Sequence, residues 1–127
     1  MVFPLQAQDL LEHRWKERVV VITSESFDHP DAMAQIKDFK DSSDELEDRL
    51  MVIYHVTSEG YRIQFNQEVM PVGNKVSDFD FKVVLIGLDG GIKNESRTFE
   101  PAGIYYGLID RMHMRRATMR KRIKNGG

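Results

Sequence analysis

The chain has 127 residues, 41% of them apolar and 30% charged, with a formal net charge of −2 and no cysteine. A chain of this size buries roughly 65% of its unfolded surface around one core, so the prediction is a single soluble domain over residues 1–127. The missing thiol excludes cysteine nucleophiles, disulfides, thiolate zinc sites and iron–sulfur ligation, which leaves the fold to stand on packing alone.

The first residues carry neither the basic start nor the apolar stretch of a secretory signal. Phe3-Pro4-Leu5-Gln6-Ala7-Gln8 reads either as the remnant of a cleavage site or as a frayed cytosolic end. Asp9 then opens a short predicted helix with Leu10, Leu11 and Trp15 on one side. Residues 18–24 contain Val19-Val20-Val21-Ile22 without polar alternation, the pattern of a strand covered on both faces. Ser26, Asp28, Pro30 and Asp31 break it, and from Pro30 to about Arg49 the residues Met33, Ile36, Phe39, Leu46 and Leu50 recur at helical spacing, with a soft spot at Ser42 and Ser43. Residues 50–57 form a second buried strand, and a strand, helix, strand connection of this length implies a right-handed parallel crossover. Ser58-Glu59-Gly60 ends that strand, Tyr61, Ile63 and Phe65 point to a short helix or turn, and residues 67–80 are irregular.

A third strand over residues 81–87 runs into Asp89-Gly90-Gly91 and out along Ile92 and Lys93. Asp-Gly between strand residues predicts a hairpin with a type I′ turn, so the second half is antiparallel. Glu100 and Pro101 mark the start of a closing helix whose apolar stripe is Ile104, Tyr105, Leu108, Ile109 and Met112. No run approaches the roughly 20 apolar residues that span a bilayer. The summed order, βαβ then ββα, predicts an α/β fold with helices flanking a mixed central sheet of about four strands, an order that suits a thioredoxin-like fold.

Several pieces in this order resemble a small family, a domain of unknown function with short, often exported bacterial members. The same domain occurs in vertebrate extracellular-matrix proteins such as the sushi-repeat-containing proteins. The resemblance is carried by Arg14-Trp15-Lys16-Glu17-Arg18, by Arg49-Leu50, by Val83-Val84-Leu85-Ile86-Gly87 with Asp89-Gly90-Gly91 and Lys93, and by Ile109-Asp110 with Met112, Met114, Arg115 and Arg116. It implies a thioredoxin-like, peroxiredoxin-related fold and a periplasmic or secreted setting; without it a cytoplasmic one is expected. His113 stands where a typical member has Pro, which implies a softer break after the closing helix.

In redox members of that fold the reactive thiol follows the first strand at a helix start, where the macrodipole stabilises thiolate. This chain offers Thr23, Ser24, Glu25, Ser26, Phe27, Asp28 and His29 there, and serine cannot cycle between sulfur oxidation states. Ser24 or Ser26 with His29 and Asp28 or Asp31 supplies the residue types of a hydrolase triad, with Ser26, Asp28 and His29 as the candidates. The same residues also read as caps for the helix near Pro30. His13, His29, His55 and His113 share no metal-ligand spacing, so no metal and no cofactor is implied, and His55 reads as a structural histidine.

Residues 111–127 hold seven basic side chains and no acid, which leaves eleven basic against twenty acidic residues in the rest of the chain. Arg115, Arg116, Arg120, Lys121 and Arg122 are the candidate anion or partner contacts. Three readings stand together: a solvated helix end, a contact to the acidic helix around Asp38 to Asp48 within one molecule or in a homodimer, and binding to an anionic surface. The small negative net charge argues against dedicated nucleic-acid binding. The expectation is a non-catalytic binding or interaction module, with an unidentified protein partner among its ligands. An enzyme using the loop after the first strand is the alternative.

Overall fold

The structure is a computed structural model and describes residues 13, 15–71 and 80–126. Among the described residues there are five strands, Arg18–Thr23 (β1), Met51–Thr57 (β2), Gly60–Ile63 (β3), Lys82–Ile86 (β4) and Ile92–Ser96 (β5). The helices among them are Pro30–Asp41 (α1), Ser43–Asp48 (α2), Ala102–Asp110 (α3) and His113–Gly126 (α4). One mixed sheet runs β3-β2-β1-β4-β5. β1 and β2 are parallel, Val19 opposite Val52 and Ile22 opposite His55, and the other neighbouring pairs are antiparallel.

Every residue of β1 and β2 is buried, as their unbroken apolar runs predict. Alternate side chains feed two clusters. Val20, Ile22, Ile53, Val83 and Leu85 pack with Phe39, Leu46, Tyr105 and Ile109 of the helices. Val19, Val21, Val52, Tyr54, Val56, Val84 and Ile86 form the cluster on the opposite face, with Tyr61 and Ile63 against them. Burying each such aliphatic side chain contributes about 1.5–3 kcal/mol.

The long helix expected to Arg49 divides at Ser42, whose hydroxyl bonds back to Asp38 O at 3.0 Å and competes with the helical ladder. Its core face is Ala32, Gln35 and Phe39, whereas Met33 and Leu50, expected inside, are 53% and 51% exposed. Gln35 is buried because its amide satisfies both backbone groups of Glu100: Nε2 donates to the carbonyl at 2.8 Å and Oε1 accepts from the N–H at 3.2 Å. No side chain caps α1, since His29 holds the N-cap position and the Ser26 hydroxyl donates instead to Asp28. Nor does Glu100 cap α3: Pro101 is the N-cap residue, and Asp38 accepts the Ala102 N–H across from α1.

The turn or helix expected over Tyr61 to Phe65 is instead strand β3, paired to β2 with Thr57 opposite Gly60. Gly60 has φ +142°, and a Cβ there would run into Met70 O. Tyr61 and Met70 exchange backbone hydrogen bonds of 2.8 and 2.7 Å, folding the following segment back along β3. The hairpin after β4 is present, but with one positive φ, at Gly90, in place of the two a type I′ turn needs. Gly87 N–H bonds Gly91 O, while Asp89 accepts from Gly91 N–H and pairs with Lys93 at 2.8 Å.

The helix expected from Asp9 lies outside the described residues except for His13 and Trp15, which sit in a turn where Trp15 has φ +68°. The Phe3 to Gln8 stretch is also outside them, as are residues 72–79 of the irregular segment. No helix among the described residues is long and apolar enough to cross a membrane.

Candidate functional site

The sheet has a strand more on the β2 side than α1 covers. β3 therefore carries Arg62, opposite His55, on the helical face with no helix above it. The uncovered space is a cleft of about 350 Å³. One wall is the flank of α1 beside its core stripe, with Met33, Ile36, Lys37 and Lys40 at helical spacing. Arg62 and His55 form the floor, Phe27 stands at one end, and Gln64, Phe65, Asn66 and Gln67 close the far wall. Gln64 has φ +56° and is held there because its N–H donates to Ile53 O and its Oε1 accepts Ile53 N–H, both at 2.6 Å. Its amide nitrogen is left as the free polar end.

Three cations and no carboxylate line the cleft. Lys37 is tied to Asp41 at 2.7 Å in a pair open to solvent, which holds its ammonium above the usual lysine range. Lys40 and Arg62 have no ion-pair partner among the described residues. The Arg62 guanidinium lies 4.1 Å from the Phe27 ring centre, a cation–π contact, and its Nε is buried with no hydrogen-bond partner among the described residues.

Phe27 meets the His55 ring edge-on at 5.0 Å, and His55 Nε2 lies 2.7 Å from Ser24 Oγ. Ser24 also donates to Ser26 O at 2.8 Å, so with its proton committed the hydroxyl accepts from His55 Nε2–H. Burial lowers the His55 pKa to about 4, with repulsion from Arg62 and His29 adding to it, and the ring is neutral at physiological pH. Ser24 is fully buried, which denies a substrate access to its oxygen.

The sequence candidates Ser26, Asp28 and His29 are only partly brought together. Ser26 donates to Asp28 at 2.6 Å, while the His29 ring stacks on Phe81 at 5.7 Å and its buried Nδ1 has no partner among the described residues. Among the described residues no three metal-ligating side chains cluster. The Ser24–His55 contact and the cleft cations Lys37, Lys40 and Arg62 lie beyond what the sequence reading named. Their signal is the strand register, which sets residue 55 against residue 62.

At the other end of β1 and β2 the resemblance residues meet in an ionic cluster. Arg49 makes a two-pronged bond to Asp110, at 3.1 and 2.8 Å, and a second to Glu45 at 2.6 Å. Arg115 spans Asp110 and Asp48 at 3.2 and 2.5 Å, and Arg18 donates to Arg49 O at 2.8 Å. Burial and the neighbouring Arg115 lower the pKa of Arg18. Arg122 also reaches Asp48, at 2.7 Å, so two of the candidate tail cations contact the acidic helix within the molecule. Arg116, Arg120 and Lys121 are exposed.

Sheet, helices and cleft together define an α/β protein with a cationic, ligand-sized cavity on the helical face of its sheet. The family model for a domain of unknown function (DUF4174) matches residues 9–118, and the chain belongs to that family. No curated protein and no solved structure matches it.

Proposed function

We propose that this chain is a thioredoxin-like binding module that holds a ligand in its cleft without transforming it. The strand sequence β2-β1-β4-β5, parallel in its first pair and antiparallel afterwards, supports the thioredoxin-like reading. The observation that carries the non-catalytic part is the burial of Ser24. The Ser24 hydroxyl, in contact with His55, is fully enclosed and hydrogen bonded on both sides, beside a cavity that is open. Without sulfur the loop has no redox cycle, and without access Ser24 has no acyl transfer. Incubation with peroxide and a dithiol, and separately with chromogenic esters, is expected to give no turnover above buffer. Ester hydrolysis that disappears in both Ser24→Ala and His55→Gln would overturn the reading.

A second reading rests on α4, where Arg116, Arg120 and Lys121 are exposed without an ion-pair partner among the described residues. Under it the chain binds anionic vesicles through this helix. Binding then falls steeply between low and high salt and is lost in the triple glutamine variant. Salt-independent binding, or none, counts against it.

A further inference from the structure

The charged side chains that line the cleft are all of one sign. Resting on the binding-module reading, we infer that its ligand is a small organic anion, a carboxylate or phosphate monoester carried on a planar apolar group. Donors outnumber acceptors at its surface: Arg62, Lys40 and Lys37 bring positive charge, and Gln64, whose oxygen is already engaged by Ile53, presents its NH₂. An ionised head group fits this set, because the Arg62 guanidinium lines the cleft without an ion-pair partner among the described residues, and such a planar group pairs its N–H donors with carboxylate or phosphate oxygens. A neutral head group would leave Arg62 and Lys40 without a counter-charge around a partly enclosed space. The apolar share of the wall comes from Phe27, Phe65, Ile36 and Met33, and the exposure of Met33 at 53% leaves an unbranched, adaptable side chain at the rim. At about 350 Å³ the cavity lies near the small end of the roughly 300–1,000 Å³ typical of small-molecule sites, which suits one ring with a charged substituent.

The test is a titration of the ¹⁵N-labelled full chain, followed by NMR, with phenylacetate, phenyl phosphate and neutral phenylacetamide. At least one of the two anions is expected to shift the amides of Phe27, Arg62, Gln64 and Phe65 and to bind about tenfold or more tightly than the amide. The tighter anion assigns the head group. Arg62→Gln weakens that anion by about tenfold, the scale of one lost charge-assisted contact. Lys40→Gln, on an exposed helix position where folding is not at risk, weakens it a few fold. Arg97→Gln, exposed just after β5 at the far edge of the sheet, leaves it unchanged. Equal affinity for acid and amide, or no effect of either cleft variant, overturns the charge selectivity while the cleft remains a binding site. Failure of all three probes to shift any cleft amide overturns this inference, whereas turnover in the assays above overturns the binding-module reading itself.

Discussion

Replacing Asp110 by Asn removes the charge that Arg49 and Arg115 share, with almost no change in volume. Asp110 accepts from Arg49 at 3.1 and 2.8 Å and from Arg115 at 3.2 Å, and those arginine side chains are only 10% and 4% exposed. Breaking a buried ion pair from one side costs roughly 3–5 kcal/mol. Two features lower that here. Asp110 is itself 36% exposed, and each guanidinium keeps a second carboxylate, Glu45 or Asp48. The expected loss is about 2 kcal/mol, which for a chain of this length lowers Tm by roughly 6–10 °C. Urea denaturation measures it without adding salt. Arg122→Gln is the internal control, because its pair with Asp48 is 52% and 44% exposed and is worth at most ~0.5 kcal/mol. High salt should erase the Arg122→Gln deficit and leave most of the Asp110→Asn one. Burial raises the Asp110 pKa, but donors from Arg49 and Arg115 outweigh it and hold the carboxyl below its ordinary value. Its contribution is therefore complete above the usual carboxylate range and lost as pH falls through the lowered pKa, so Asp110→Asn also flattens the acid limb. An Asp110→Asn midpoint indistinguishable from that of Arg122→Gln would refute the reasoning.

Stability should also depend on His55. Its pKa falls from 6.5 to about 4 on folding, so the unfolded chain binds an extra proton between those values. Stability is then full above about pH 6.5 and declines toward pH 4 by up to about 3 kcal/mol, a slope that His55→Gln reduces in urea titrations across that range. Gly60→Ala should cost on the order of 2 kcal/mol or more, since φ is +142° and the new Cβ meets Met70 O; a urea midpoint equal to the parent's counts against the hairpin geometry. Gly103→Ala and Gly107→Ala on α3 place a methyl in open space, and each should raise stability by roughly 0.5–1 kcal/mol in thermal melts. A fall in Tm for either would show that those positions are packed against something.

The central strands are legible in sequence because a strand buried on both faces must be apolar throughout, and residues 19–22 and 83–86 are. The division near Ser42 is legible for a similar reason, as two adjacent serines compete locally with the helix ladder. β3 is not, because an edge strand of four residues with Arg62 between Tyr61 and Ile63 carries too short a period to separate from a turn. The cleft follows from that omission: Arg62 stands near Phe27 and His55 only once β3 is laid against β2. The pairing of Arg49, Asp110 and Arg115 joins residues far apart in the chain, and no local pattern connects them. They were nevertheless among the residues that carried the family resemblance, so what is most recognisable in this chain is the scaffold's ionic lock and not its cavity.

The buried amide of Gln35 determines how that cavity can move. Because it clamps both backbone groups of Glu100, and Asp38 tethers the start of α3, the α1 wall cannot slide without breaking enclosed polar contacts. The facing wall hangs from an edge strand through the backbone ties of Gln64 to Ile53 and of Met70 to Tyr61. The cleft thus has one jaw locked across the helical layer and one carried by an edge strand, so that a change in its width would fall on residues 65–67, beyond the double tie of Gln64, and leave the lysines on the helix in place.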